Sequence, residues 1–435
     1  MEALARDLVA TKARTLVIIS PHGPVFEDGI VIRGGERLGG DLADFQAPEV
    51  RLEYINDLEL AGKIAECARE KGIFTAVAGG SEARRFGLKP ELDHGVMVPL
   101  DHFHRAGFQG KLVVMGMALF TPDVLYKFGM AIQQAIEDSA EEVAVIASGD
   151  LSHRLSPDAP AGYNKRGQEF DRELVERFRQ GDFAGIMDLD SELIETAGEC
   201  GYRPINILLG ALDRYAGQTK VYSYEGPYGV GYLVGGIFPG EETGEPGAVL
   251  KDYLERRSRR LTRVREQQHP LVTLAYRSLE HYLNTGEYLA DYQQLPLEFR
   301  GRAGVFVSLK KHGRLRGCIG TIAPTQPDVA REVIHNAVSA GTEDPRFEPV
   351  ERQELPELTL SVDVLGEEEK ISGPEVLDPQ RFGVIVRRGN RSGLLLPNLA
   401  GIDSVEDQVS VARQKAGIGP GDEVELSRFE VKRFY

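Results

Sequence analysis

The chain has 435 residues, a length that predicts two or three domains. Its formal net charge is -16 at pH 7, and its three cysteines form an odd, widely spaced set that argues against a disulfide framework and favours a reducing cytoplasm. No apolar run approaches the roughly 20 residues that span a bilayer, and the first nine residues lack the apolar core of a secretory signal. We therefore expect a cytoplasmic protein that does not act at a membrane.

The negative charge is concentrated in the first part of the chain. Residues 1–250 carry a net charge of -15, whereas residues 251–435 carry -1. This difference indicates two units. It argues against a broad nucleic-acid-binding surface on the first unit, although a local basic patch is compatible with it.

The first unit alternates apolar strands with helical patterns, as α/β proteins do. The predicted strands are Thr15–Ser20, Phe74–Ala78, Lys111–Met115, Val143–Ser148 and Lys220–Tyr224, and the predicted helices are Asn56–Lys71, Pro122–Ser139 and Pro204–Tyr215. We predict an α/β domain over residues 1–240, with a mostly parallel sheet flanked by helices.

A boundary follows this domain. Residues 238–249 have the sequence FPGEETGEPGAV, which lacks apolar periodicity and is typical of a linker. Leu250–Arg265 is predicted to be a helix, and its six arginines either form a solvated face or bind an anion or RNA. We predict that residues 241–261 are a linker with this Arg-rich helix.

The second unit, residues 262–435, mixes strands with isolated helices, which predicts an α+β domain. The predicted helices are Leu271–Leu283, Gln326–Ala340 and Ser404–Ala416, and the predicted strands are Gly304–Leu309, Leu358–Val364, Gly383–Val386 and Val424–Val431.

Ionisable residues of the first unit gather where open α/β sheets bind ligands, beyond the carboxyl ends of strands. His22 follows the first strand, and Asp150 and His153 follow a later one. His94 lies in the motif DHG, and Cys200 lies at a predicted helix start. A single histidine in such a place is usually structural. Three of them with a cysteine predict an active or metal site, and imidazole and thiolate suit divalent iron, copper or zinc.

The motifs SPHGP, DHGVMVPL and SGDLSH, in this order, resemble the catalytic subunit of class III extradiol ring-cleavage dioxygenases, the LigB-type fold. The motif CGYRPI resembles the Memo branch of that superfamily, in which a cysteine replaces the carboxylate ligand. The resemblance covers roughly residues 13–239. It implies an iron(II)-type site with His22 as the first ligand and Cys200 as the third. The acid, base or orienting residues that it implies are His94, Asp150 and His153.

The sequence departs from the dioxygenase pattern at the second histidine ligand. That ligand is expected before Asn56, but Leu38–Val50 contains no histidine. The nearest candidates, none of which matches the motif, are Asp41, Asp44 and Gln46. His102 and His104 are an alternative, although we expect them on a solvated loop. Without this imidazole and with a thiol in place of the carboxylate, ring cleavage is in doubt.

The second unit contains the sequence GVFVSLKKHGRLRGCIGT, which predicts a hairpin with Cys318 between two glycines. Strand alternation predicts that Arg314, Arg316 and Cys318 share one face and line a cleft, where the arginines favour a thiolate. The alternative is a buried, inert cysteine.

The segments LRGCIGT, EDPRF, LSVDVL and SGLLLP resemble the AMMECR-type domain from about residue 261 to the end. That resemblance implies an α+β fold without implying an activity. Memo-like and AMMECR-type proteins also recur beside a radical S-adenosylmethionine protein, a grouping called the AmmeMemoRadiSam system. This grouping implies a radical SAM partner and a joint modification of an unknown substrate.

Two functions remain open at this point. The first is a fusion protein of that system with a degenerate metal or redox domain, which the missing histidine favours. The second is an active iron(II) dioxygenase that cleaves a catechol, with His153 taking the substrate proton and His94 stabilising bound oxygen.

Overall fold

The structure is a computed structural model that describes residues 1–139, 141–242, 244–290, 299, 301–399, 402 and 404–435. The chain divides into two compact units, Met1–Ser258 and Arg259–Tyr435. This division lies inside one helix, Ala248–Glu266, whereas the sequence predicts a linker from residue 241. The predicted domain boundaries at 240 and 262 stay predictions.

The first unit is built from the following elements. Its strands are β1 Thr15–Ile19, β2 Ile30–Arg33, β3 Arg37–Leu42, β4 Ala47–Ile55, β5 Thr75–Ala78, β6 Lys111–Met115, β7 Val143–Ala147, β8 Tyr215–Glu225 and β9 Tyr232–Glu242. Its helices are α1 Glu2–Ala10, α2 Leu58–Glu70, α3 Gly80–Arg85, α4 His94–Arg105, α5 Pro122–Glu137, α6 Lys165–Gln180, α7 Phe183–Met187, α8 Ser191–Ala197 and α9 Tyr202–Gly210, and α10 Ala248–Glu266 contains the division.

The central sheet of the first unit has the strand order β5-β2-β6-β1-β7. Strand β1 runs parallel to both β6 and β7, so Ile19 lies opposite Met115 and Ala147. β2 runs parallel to β5 and contacts β6 through one antiparallel pair. The predicted α/β class with a mostly parallel sheet is confirmed. The residues that follow β1 and β7 therefore leave the sheet at the same edge.

The middle strand explains why its sequence is an uninterrupted apolar run. Val17 and Ile19 pack into the core beside α2 and α5, whereas Leu16 and Ile18 pack into the core beside α1 and α4. A strand covered by helices on both faces needs apolar residues at every position.

The structure differs from the sequence prediction in two segments of the first unit. The stretch predicted as a linker from residue 238 is still β9 as far as Glu242, because it pairs with β8 back to Tyr215. Helix α9 ends at Gly210, five residues before the predicted end at Tyr215, which instead begins β8.

The second unit contains helices on an antiparallel sheet, which confirms the α+β class. Its elements are α11 Pro270–Thr285, β10 Val305–Lys311, β11 Arg314–Gly320, α12 Val329–Thr342, β12 Leu358–Leu365, β13 Glu369–Ile371, β14 Phe382–Arg388, β15 Arg391–Leu395, α13 Val405–Lys415 and β16 Glu425–Phe434. The strand order is β11-β10-β12-β16-β14-β15, with β13 on β16. Helices α11 and α12 cover one face of β10 and β12, and α13 packs on β14 and β15.

No helix in the described part of the chain combines the length and the hydrophobicity that a membrane-spanning segment requires.

Candidate functional site

Two serine hydroxyls fasten the start of α4 to the carboxyl edge of the central sheet. Ser20, after β1, donates to Asp93 Oδ1 at 2.6 Å, and Ser148, after β7, donates to the Gly95 carbonyl at 2.6 Å. A Cβ on Gly95 would lie 2.6 Å from Ser20 Oγ, so a larger residue at this position would force the Ser20 side chain to move. The start of α4, and His94 with it, is therefore held at the end of β1.

His22 and His94 meet at this edge. Their ring centroids are 4.1 Å apart, and the Phe45 ring lies 5.0 Å from His94. Phe45 lies in a short turn between β3 and β4, within the stretch where the second histidine of the dioxygenases is expected. The β3–β4 hairpin, with the aromatic side chain of Phe45, therefore occupies the stretch in which the second histidine ligand is expected.

Asp150, His153 and Cys200 form a compact cluster of metal-ligand type. Their ligand atoms all lie within 4.8 Å of one another, and it is the one such group of three or more His, Cys, Asp or Glu side chains in the part of the chain that the structure describes. His153 Nε2 is 3.4 Å from Asp150 Oδ2 and 3.9 Å from Cys200 Sγ. The backbone N–H of Asp150 also donates to Cys200 Sγ at 3.1 Å. All three residues are half-buried, so a ligand can reach them.

The pKa values of His153 and His22 are shifted in opposite directions at this edge. Hydrogen bonds to Asp150 and Cys200 raise the pKa of His153 to about 10. Burial and the neighbouring His94 lower the pKa of His22. The charges of Asp150 and His153 also influence the pKa of His22, so the histidine pair lies within electrostatic range of the three-residue cluster.

A buried aspartate supports the loop that carries His153. Asp171, on α6, accepts the Ser152 backbone N–H at 2.8 Å and the Tyr224 hydroxyl at 2.7 Å. The next backbone N–H, that of His153, donates to the Ala197 carbonyl at 3.1 Å. Asp171 is fully buried, although α6 is highly charged. The sequence contains one signal for the burial of Asp171, because position 171 lies on the buried face of α6.

Glu199 precedes Cys200 and shapes the turn into α9. Its side chain is 2% exposed, accepts the Tyr202 backbone N–H at 2.5 Å and lies 3.8 Å from the Arg203 guanidinium. Burial raises the pKa of this carboxyl. Glu199 therefore binds the first backbone N–H of α9 and holds the turn that carries Cys200, a role that the sequence analysis missed.

The structure groups the predicted site residues differently from the roles that we predicted for them. We predicted His22 and Cys200 as metal ligands, but the compact cluster joins Cys200 to Asp150 and His153, and His22 lies against His94. Asp41, Asp44 and Gln46 are outside this cluster, and Asp41 instead accepts the Ala43 backbone N–H. The individual roles stay predictions.

The expectation of a loop for His102 and His104 is wrong, but their expected access to solvent holds, because His104 is exposed and His102 is half-buried. Both lie in α4, whose apolar face is buried, and His104 Nδ1 is 2.7 Å from the Tyr54 hydroxyl.

In the second unit, Cys318 is half-buried on the edge strand β11. The Ser308 hydroxyl donates to its sulfur at 3.2 Å. Its backbone N–H donates to Asp344 Oδ2 at 2.8 Å, and Asp344 in turn binds Arg346 through two hydrogen bonds of 2.9 and 2.7 Å.

A register shift interrupts the alternation from which the common face of Arg314, Arg316 and Cys318 was predicted. Leu309 lies opposite Gly317 and Lys310 opposite Leu315, so Arg316 is the extra residue of a bulge. Arg316 pairs with Glu354 at 2.9 Å. The cation whose guanidinium reaches the Cys318 backbone is Arg346, at 3.3 Å from the carbonyl. The predicted cleft stays a prediction.

Two glycines near Cys318, Gly317 and Gly320, allow neighbouring groups to pack closely against β11. A Cβ on Gly317 would lie 2.0 Å from the Ala340 carbonyl of α12, and one on Gly320 would lie 2.2 Å from the Phe306 ring.

The fold and the site define a protein with an α/β domain that carries a His, Asp and Cys cluster at its sheet edge, followed by an α+β domain. Residues 1–235 match the family described as the catalytic LigB subunit of aromatic ring-opening dioxygenase, and residues 272–434 match AMMECR1. The chain belongs to the LigB family through its first domain and to the AMMECR1 family through its second.

Similar proteins extend over one or both domains. Protein CA_C1420 of Clostridium acetobutylicum is 39% identical over 434 residues, which are 99% of this chain and 92% of that protein. A Thermotoga maritima protein is 46% identical over 170 residues, which are 38% of this chain and 98% of that protein. The crystal structure of uncharacterized protein PH0010 from Pyrococcus horikoshii covers 38% of this chain and 88% of its own, at 33% identity and a TM-score of 0.36.

Proposed function

We propose that the first domain binds one divalent metal ion through Asp150, His153 and Cys200. The convergence of their ligand atoms within 4.8 Å carries this proposal. Ligands about 2.0–2.3 Å from a shared metal lie roughly 4 Å or less from one another, so the 3.4 and 3.9 Å distances fit and the widest pair needs a small closure. A thiolate, an imidazole and a carboxylate together suit divalent iron, zinc or copper.

Each protein group has a role of its own in this proposal. Asp150, His153 and Cys200 hold the ion, and the ion supplies Lewis-acid or redox chemistry when bound. Burial favours the neutral form of His22, which makes this imidazole a proton acceptor beside the ligands. The His94 ring lies between these groups, 4.1 Å from the His22 ring and 5.0 Å from the Phe45 ring of the β3–β4 hairpin.

The absence of a histidine from Leu38–Val50 favours a metal or redox domain that has lost the ring cleavage of the dioxygenases. We further propose that the two domains act with a radical SAM protein on one unidentified substrate. The support is the resemblance of both halves to the AmmeMemoRadiSam grouping. The similarity to the Clostridium acetobutylicum protein extends through both domains. The observation that favours an active dioxygenase instead is the His22–His94 pair beside the cluster.

Metal analysis of full-length protein purified without air tests the metal site. We expect about one equivalent of metal in the native chain and its loss in His153→Gln and Cys200→Ser. His104→Gln is the matched control, because His104 lies in α4 and contacts Tyr54. Equal metal content in all four proteins would refute the site.

A catechol assay on the same preparations separates the two functions. Metal binding without ring-fission product supports the degenerate domain. Stoichiometric iron together with yellow product would establish the dioxygenase instead.

A further inference from the structure

Strand β11 forms one edge of the sheet in the second unit. The strand order ends at β11, and no other strand of the described chain pairs with its outer side. An edge strand presents backbone N–H and C=O groups to which a strand of another chain can add. The groups that protect this edge therefore decide whether copies of the protein can join there.

The backbone of Cys318 points outward at this edge. In an antiparallel pair, residues whose N–H and C=O bind the neighbouring strand alternate with residues whose groups point away from it. The Cys318 N–H donates to Asp344 Oδ2 at 2.8 Å, and its carbonyl accepts from Arg346 Nη2 at 3.3 Å. Two side chains thus bind Cys318 where the backbone of an added strand would bind it.

The two side chains that occupy the edge also bind each other. Asp344 is 4% exposed and accepts from Arg346 through hydrogen bonds of 2.9 and 2.7 Å, whereas the Arg346 side chain is 55% exposed. Hydrogen bonds with an ionised donor or acceptor are stronger than those between neutral backbone groups. A strand that added at Cys318 would have to replace two such bonds and cover the charge of Arg346.

The rest of β11 is protected unevenly. Arg316 is the extra residue of a bulge, a feature that bends a strand and interrupts pairing, and its guanidinium is bound by Glu354. Toward the other end of the strand, Gly320 has the same orientation as Cys318 and no side chain that could block a neighbouring strand. The Asp344–Arg346 pair therefore protects the half of β11 that the bulge leaves open.

We propose that the Asp344–Arg346 pair is a block that prevents a second copy of this chain from adding its β11 to the sheet. Two identical edges can pair antiparallel about a two-fold axis, which makes the edge complementary to itself. With Cys318 on the axis, each Cys318 lies opposite its counterpart and each Arg316 lies opposite a Gly320. Like charges do not meet between residues 316 and 320, so the block alone opposes this pairing.

Cys318 reports directly on such pairing. Opposed residues that bind each other in an antiparallel pair have Cα atoms about 5.5 Å apart, which is within the range of a disulfide. The experiment treats the full-length chain with diamide, which oxidises thiols without adding a metal, and peptide mapping quantifies the Cys318–Cys318 disulfide. The map separates this disulfide from any product of Cys200, so the result is independent of the metal site.

Arg346→Ala and Arg346→Met remove the exposed half of the block. We expect about tenfold stronger self-association, the effect of one hydrogen bond to a charged group, with a Cys318 disulfide that forms faster to the same extent. Arg346→Met keeps the length of the side chain and so preserves more of its packing. Circular dichroism and the melting temperature confirm that each variant is folded, and sedimentation at several concentrations measures the dimer.

Arg352→Ala is the matched control, because Arg352 is another exposed arginine of the same unit. It should crosslink at the rate of the native chain. Adding Cys318→Ser to Arg346→Ala should remove the crosslink and leave the dimer in sedimentation. Equal rates of Cys318 crosslinking in the native chain and in folded Arg346 variants would overturn the proposal.

Discussion

Asp171 Oδ1 lies 2.8 Å from the backbone nitrogen of Ser152, although the two residues belong to α6 and to the loop after β7. The other carboxylate oxygen binds the Tyr224 hydroxyl at 2.7 Å, so one buried side chain joins a helix, a strand and the loop of the candidate metal site. Since His153 follows Ser152 directly, the carboxylate positions a proposed ligand without being one itself.

Replacement of Asp171 should therefore damage both stability and metal binding. Asp171→Ala leaves a buried N–H and a hydroxyl without an acceptor, and each unsatisfied group costs about 1–3 kcal/mol. Residues that orient metal ligands typically contribute roughly 10–100-fold in affinity, so metal affinity should fall in this range. Urea unfolding and metal titration measure the two effects.

Asp171→Asn serves as the control, because its amide oxygen still accepts from Ser152. It should retain more of both properties than Asp171→Ala. Unchanged metal affinity in the folded Asp171→Ala protein would show that the loop does not depend on this carboxylate.

Gly317→Ala should destabilise the second domain. The added methyl group would lie 2.0 Å from the Ala340 carbonyl, so β11 and α12 would have to separate. Overpacking of this kind costs about 1–3 kcal/mol, which a lower urea midpoint would report. Gly421→Ala is the control in the same domain, because nothing lies within 4 Å of its Cβ position. Equal midpoints for both variants would contradict the packing role of Gly317.

Acid should weaken the second domain through Asp344. The hydrogen bonds from Arg346 lower the pKa of this buried carboxyl from 3.8 to about 2. A depressed folded-state pKa contributes stability that is fully present above the unfolded value, so about 2 kcal/mol should be lost as the pH falls from roughly 4 to 2.

Urea unfolding at several pH values checks this loss. Asp344→Asn should be less stable at neutral pH and should lack this part of the pH dependence. The exposed Glu423→Gln should retain it. An identical pH profile for the native chain and Asp344→Asn would exclude Asp344 as its source.

A fragment that ends at residue 266 should be more stable than one that ends at residue 240. Tyr253 of α10 is 3% exposed and packs in a core of the first unit, with Val249 and Leu250 beside it. Burial of a large apolar side chain contributes about 1.5–3 kcal/mol, so the shorter fragment should melt at a lower temperature. Equal melting temperatures would support the boundary at 240 that the sequence predicts.

Much of the fold could be predicted because its signals are local. The strand β6, Lys111–Met115, agrees with its predicted bounds, since a buried parallel strand is a short apolar run between polar turns. β2 escaped prediction because its four residues contain Arg33, whose guanidinium binds the Lys89 and Glu91 carbonyls. The groups that a charged residue of a buried strand binds can be identified only from the three-dimensional structure.

The candidate site was predictable as a set of residues and less so as a geometry. Strand ends bring His22 and Asp150 to one edge, which topology alone implies. The pairing of Cys200 with Asp150 depends on how α9 approaches the loop after β7, and no spacing in the sequence encodes that approach. The bulge at Arg316 likewise arises from pairing with β10, so an alternation rule applied to β11 alone could not anticipate it.

The glycine at position 95 also limits how the site can be redesigned. Any side chain there would force Ser20 and His22 to shift, so a point substitution at Gly95 would disturb the histidine pair itself. Phe45 is 57% exposed on its hairpin turn, and its ring lies 5.0 Å from that of His94. A protein engineer who wants this edge to admit a bulkier or more polar compound should therefore vary the hairpin and leave the start of α4 intact.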